Sequence, residues 1–305
     1  MEKNNSPWKG VTGGRKWGQK GLLLLFRFVP RGMLYGILAC VVPFYMLFSR
    51  KGYLSIYRYF RRRFAFSPFR SFLKTFHNHF VFGQCLLDKF AVYAGRNDFK
   101  IVFTGYDEYI RLINSDKGFI IASAHVGNLE LGGYLLFHGN KSAHTLVFSG
   151  EGGELMKNRA KAMARNNLFM IPLSNDLSHV FVIKDVLARG NIVSVLCDRN
   201  MSNMKHSEYT FLGEQADFPM GIFTLAAQWN VPVLSMFVVK ESFRRYHAYM
   251  QPVVADTQGK RTEVVDSYIK AFIRQLENIV RMYPEQWFNF YAFWKEKESL
   301  PSDKK

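Results

Sequence analysis

"GFIIASAHVGNLELGGYLL", residues 118–136, decides how the chain folds. Gly118 to Ala124 is a short, wholly apolar or small run. Such a run reads as a strand buried on both faces. "HVGN" interrupts it, with Gly127 suited to a tight turn and Asn128 placed to cap a helix. That helix starts near Asn128 and stops at Gly139. Strand, turn and helix in this order form the repeating unit of an α/β fold with a parallel sheet.

The same alternation continues outward. "HTLVFS" (144–149), "MIPL" (170–173), "NIVSVLC" (191–197), "VPVLSMFVVK" (231–240) and "YHAYMQPV" (246–253) read as strands. "GGELMKNRAKAMARNN" (152–167), "LSHVFVIKDVLARG" (177–190), "MGIFTLAAQWN" (220–230) and "VVDSYIKAFIRQLENIVRMYP" (264–284) read as helices. Gly190 ends the second helix, Ser178 or Asp176 caps it, and Pro284 ends the last. The reading is an α/β domain over 76–298, with a mostly parallel central sheet flanked by helices on both faces. A charged tail follows at 299–305.

Upstream the chemistry changes. Residues 1–75 carry fifteen Lys and Arg against one acid, Glu2, while the rest of the 305 residues is close to balanced within a net charge of +17. "GMLYGILACVVPFYMLF" (32–48) has no charge and is bracketed by Arg27, Arg31, Arg50 and Lys51. It is somewhat short for a full span, which needs about 20 residues, and Pro43 lies inside it. "YRYFRRRFAFSPFRSFLKTFHNHFVFGQ" (57–84) interleaves aromatics with arginines. Beside an apolar helix these features suit an anionic membrane surface better than nucleic acid. Residues 1–75 therefore read as a membrane-anchoring helical segment, crossing the bilayer or lying in its interface. His77 and His79 read as exposed side chains and not as a metal site. The three cysteines, Cys40, Cys85 and Cys197, form no CxxC and no disulfide framework.

In open α/β sheets, chemistry gathers at the carboxyl ends of strands. His125 follows a strand end directly, and Glu130 falls in the first turn of the next helix. If Glu130 folds back onto Nδ1–H, Nε2 is left as a general base. The helix N-terminus offers N–H groups to an oxyanion or phosphate. The other reading is a structural polar pair at a core edge. Zinc chemistry of the HExxH type needs a second histidine that is missing, and no GxSxG, Walker A or GxGxxG occurs. No metal or cofactor is expected.

"AHVGNLE" (124–130) resembles the HFGNWE-type block of the bacterial lipid A late acyltransferases. Further stretches follow in that family's order: "WKGVTGGRKWGQKGLLLLFRFVPRG" (8–32), "NIVSVLCDRN" (191–200), "FLGEQADFPMGIFTLAAQWNVPVLSMFVVKE" (211–241) and "YPEQWFNFYAFW" (283–294). The resemblance implies fatty-acyl transfer from acyl carrier protein, or acyl-CoA, to a lipid hydroxyl at the cytoplasmic face of a bacterial inner membrane. It implies His125 as base with Glu130 as partner. It adds Asn128, Asp198 and an arginine on the helix after the second strand as substrate-binding groups. Arg159 and Arg165 both lie on that helix, with Arg165 slightly preferred. Leu129 stands where the family has an aromatic, and "NFYAFW" where it has His-Arg-Arg. The acceptor implied is a lipid A-type glycolipid precursor. The alternative, from these departures and from "FRSFLKTFHNHFVFGQCLLDKFAVYAG" (69–95), which looks closer to a divergent branch, is another amphiphile such as an amino-acid or aryl-polyene lipid. A non-catalytic lipid-binding protein of the same fold is the competing class.

Overall fold

The computed structural model describes residues 29–96, 98–136, 139–148, 159–160, 163–173, 176–199, 205–256 and 258–294. Three helices come first: α1 (Arg31–Phe48), α2 (Arg50–Arg63) and α3 (Pro68–Tyr93). Ser67 caps α3 by accepting from the Arg70 amide at 3.3 Å, and Pro68 occupies its first turn. This single helix runs unbroken across residue 75. There follow β1 (Lys100–Thr104), α4 (Tyr106–Ile113), β2 (Phe119–Ser123), α5 (Leu129–Leu135), β3 (Ala143–Phe148) and β4 (Leu168–Leu173). Next come α6 (Ser178–Ala188), β5 (Ile192–Leu196), β6 (His206–Phe211), β7 (Glu214–Pro219) and α7 (Gly221–Trp229). The described chain closes with β8 (Val233–Lys240), β9 (Arg245–Pro252), α8 (Arg261–Met282) and a 3₁₀ turn at Pro284–Gln286.

Seven strands form the main sheet in the order β1-β9-β8-β2-β5-β3-β4. Every pairing is parallel except β8–β9. The central strands β2 and β8 are buried at every position, as largely apolar runs suit, with Ser123, Ser235 and Lys240 buried among them. Side chains alternate between two cores. Ile120 and Ala122 point to one with α6, α7 and α8, while Phe119 and Ile121 point to the other with α3, α4 and α5.

Three elements depart from the sequence reading. A separate antiparallel hairpin, β6–β7, covers part of the stretch taken above only as a family block. Leu212 and Gly213 turn it with φ of 51° and 81°, as tight hairpins demand. Helix α5 ends at Leu135, earlier than Gly139, because Leu136 is extended. His79 is buried, with Nδ1 2.8 Å from the Thr75 carbonyl and its ring against Phe290; only His77 is exposed. The period of α3 turns that face inward. Of the helix expected at 152–167, residues 159–160 and 163–164 are helical and the rest lie largely outside the described residues.

Candidate active site

Strand register builds the site. β2 and β5 lie side by side with Ser123 paired to Leu196. Two residues beyond each stand His125 and Asp198, so parallel pairing brings them together at the carboxyl edge of the sheet. His125 Nδ1 lies 2.7 Å from Asp198 Oδ1, and the His125 backbone amide donates to Oδ2 at 3.0 Å. Trp287 Nε1 also donates to Oδ2, at 3.0 Å.

Asp198 is buried, which pushes its carboxyl up; the charge and hydrogen bond of His125, the Arg199 charge and the Trp287 indole overcome this and hold it down at about 2. An ionised carboxylate only accepts, so the imidazole proton sits on Nδ1. Burial pulls the His125 pKa below its ordinary value despite the opposing charge of Asp198, and Arg199 adds to the lowering. The ring is thus neutral at pH 7, with Nε2 as an acceptor. Among the described residues Nε2 has no hydrogen-bond partner, and the side chain keeps 25% exposure.

The turn that carries His125 is clamped on two sides. Gly127 has φ +63°, and a Cβ there would overlap the Val238 carbonyl. Its amide donates to Gln286 O at 2.8 Å, the Asn128 amide donates to Val238 O at 2.7 Å, and Phe288 N donates to His125 O at 2.8 Å. Asn128 is the helix cap expected from sequence: its Oδ1 accepts from Leu131 N at 3.2 Å while Nδ2 donates to Cys85 O at 2.9 Å. Both ends of this buried amide are engaged, so it builds the turn.

Glu130 does not hold the imidazole. Arg159 grips it with two bonds, Nε to Oε1 at 3.0 Å and Nη2 to Oε2 at 2.8 Å; Lys89 Nζ lies 3.4 Å from Oε2, and Tyr93 donates to Oε1. Burial raises its pKa, but Lys89 and Arg159 outweigh that and hold it below the ordinary value. Two cations and a phenol draw the carboxylate away, while Asp198 already fills the place beside Nδ1. Of the two arginines expected from sequence, Arg159 lies at Glu130 and Arg165 is exposed in the turn after the helix. Sequence reasoning placed Asp198 among substrate ligands and missed Trp287 and Lys89. The Asp198 pairing depends on strand order, which spacing does not carry. A tryptophan after Pro-Glu-Gln was the one local signal for Trp287. Among the described residues no cluster of His, Cys, Asp and Glu fits a metal ion.

The model of the family described as bacterial lipid A biosynthesis acyltransferase matches residues 93–296. No curated protein matches the chain at a significant level. Among solved structures, the crystal structure of the 1-acyl-sn-glycerophosphate acyltransferase PlsC from Thermotoga maritima is similar at 14% identity. It covers 88% of this chain and 100% of its own, with a TM-score of 0.40.

Proposed function

The chain belongs to the bacterial lipid A biosynthesis acyltransferase family, and on that premise we propose that it moves a fatty acyl chain from a thioester to a lipid hydroxyl, with His125 as general base. The donor in this reading is acyl carrier protein, or acyl-CoA, and the acceptor is a lipid A-type glycolipid precursor at the cytoplasmic face of the inner membrane. The acceptor O–H gives its proton to His125 Nε2 as its oxygen bonds to the thioester carbon. The C–S bond then breaks, and the leaving sulfur takes the proton back from the imidazolium. Asp198 is a positioning residue: it fixes the Nδ1–H tautomer and balances the imidazolium charge. Glu130 serves the site by holding Arg159, whose guanidinium suits a phosphate of donor or acceptor.

The observation that carries this reading is the 2.7 Å pair between Nδ1 and a buried, ionised aspartate, with Nε2 turned to a partly open edge. His125→Ala should abolish acyl transfer, by about 10²–10⁴-fold or more, while circular dichroism still reports a folded chain. Near-wild-type product in lipid mass spectra would sink it. The acceptor is open to a second reading. In "NFYAFW" the aromatics Phe290, Phe293 and Trp294 pack against Phe82, Trp287 and one another, with no histidine or arginine among them. That favours an amphiphile with fewer phosphates, such as an amino-acid or aryl-polyene lipid, acylated by the same chemistry.

A further inference from the structure

We infer that α1 lies flat in one leaflet of the membrane, its outward face among the acyl chains, and does not cross the bilayer. This rests on the membrane-associated reading above and fixes its geometry.

Both ends of α1 are tied to the same α/β domain. At its start Arg31 is buried, with Nη2 2.5 Å from Asp98, Nη1 3.7 Å from Asp88, and the guanidinium 4.2 Å from the Phe99 ring. One turn on, Tyr35 donates to Asp88 at 2.5 Å. The same fully buried carboxylate takes Lys240 Nζ and the Tyr246 hydroxyl, each at 2.6 Å, from β8 and β9. Midway, Leu38 packs on Gly83, and then Tyr45 on His79 with ring centroids 6.1 Å apart. These contacts step backward along α3, so the two helices run antiparallel. Just past the far end, Gly52 rests on Phe290, and Ser55 donates to the carbonyls of Asn289 and Tyr291. A spanning helix of 18 residues would hold its ends about 27 Å apart on opposite sides of the bilayer. Asp98 and Tyr246 belong with Phe290 to one folded body, which cannot stand on both sides. Pulling α1 away would also leave the Asp88–Lys240 pair without Arg31 and Tyr35.

What α1 turns outward is apolar. Met33, Ile37, Val41, Phe44, Leu47 and Phe48 recur every one to four residues and are between 51% and 89% exposed. The antiparallel packing carries its last turn toward the start of α3, where Phe69, Phe72 and Leu73 are also exposed. Exposed Arg50, Lys51 and Arg70 border this surface, and no acid occurs between Glu2 and Asp88. Apolar side chains flanked by Arg50, Lys51 and Arg70 match acyl chains beneath anionic headgroups.

Cys40 supplies the probe. It is exposed and tenth in the helix, while Cys85 and Cys197 are buried. A spanning α1 would place it at the bilayer centre; a flat α1 holds it only about 5–10 Å below the headgroups. The full chain, labelled at Cys40 with an environment-sensitive fluorophore, is bound to phosphatidylcholine–phosphatidylglycerol vesicles brominated at shallow or deep chain positions. Co-sedimentation with stronger quenching by shallow bromines is expected. Phe44→Glu with Phe48→Glu should weaken vesicle partitioning by at least about tenfold. Stronger quenching by deep bromines overturns the inference in favour of a span. Co-sedimentation without quenching overturns it in favour of a protein covering this face. Loss of co-sedimentation altogether refutes membrane association itself.

Discussion

Asp198→Asn removes one charge and leaves the shape, and its effect can be worked out from three hydrogen bonds. Oδ2 accepts from the His125 backbone N–H and the Trp287 indole N–H, both at 3.0 Å. Neither donor can change its proton. The new amide must therefore keep its oxygen there and turn its NH₂ toward Nδ1. The imidazole answers by moving its proton to Nε2, because both neutral tautomers are ordinary states of the ring. Nε2 then cannot accept the substrate proton. Restoring the productive tautomer means flipping the amide and leaving two buried donors unpaired, at about 1–3 kcal/mol each. At 1.36 kcal/mol per decade, that is about 30-fold to above 10⁴-fold in turnover. The assay is release of the donor's free thiol in the presence of membrane lipid, from pH 5 to 9, with circular dichroism to confirm folding. The profile separates two causes. Asp198 raises the His125 pKa, so deleting its charge lowers that pKa further. Were the charge alone important, the acid limb would move to lower pH and the plateau would survive. A tautomer effect lowers the plateau at every pH. Plateau turnover within about threefold of wild type would refute the reasoning, since it falls below the smallest loss worked out above.

Arg159→Ala should lower stability by about 1–3 kcal/mol by removing two of the bonds to Glu130, and should lower turnover, whereas Arg165→Ala should leave both unchanged; equal effects in melting and activity assays would contradict the assignment. Gly127→Ala combines a left-handed backbone with a clash at Val238, and should lose roughly 2 kcal/mol or more in urea denaturation. Acid should weaken the fold in a defined window. Asp198 has a depressed pKa of about 2, so its contribution is full above its unfolded value near 3.9 and fades as pH falls toward 2. Linkage puts this at about 2–3 kcal/mol. His125, also lowered, adds loss in the same direction from below about pH 6.5. The wild-type urea midpoint should therefore fall from pH 6 to pH 3; an unchanged midpoint would contradict it.

Much of the fold was written locally. Largely apolar runs such as 192–196 and 233–240 allow little besides buried strands, and Gly190 and Pro284 mark helix ends by backbone sterics alone. His125 was legible because it follows such a run. Its partner was not. Glu130 is five residues away and Asp198 seventy-three, yet pairing of β2 with β5 brings the distant one close. Strand order is a global property, settled by which faces pack best. Likewise α1 showed its apolar composition in sequence, but the charges anchoring it, Asp88, Asp98 and Lys240, are spread over 153 positions.

The return of residues 286–288 beneath the His125 turn sets an order in time. Trp287 reaches Asp198, and Gln286 and Phe288 bond the backbone at Gly127 and His125. At about 5–20 residues per second, synthesis reaches this segment roughly 10–50 s after α1. Through that interval α1 has already been made, while Asp198 lacks the Trp287 indole and the His125 turn lacks its bonds to Gln286 and Phe288. Under the proposed function, the helix that would meet lipid is made before the site that would act on it is complete.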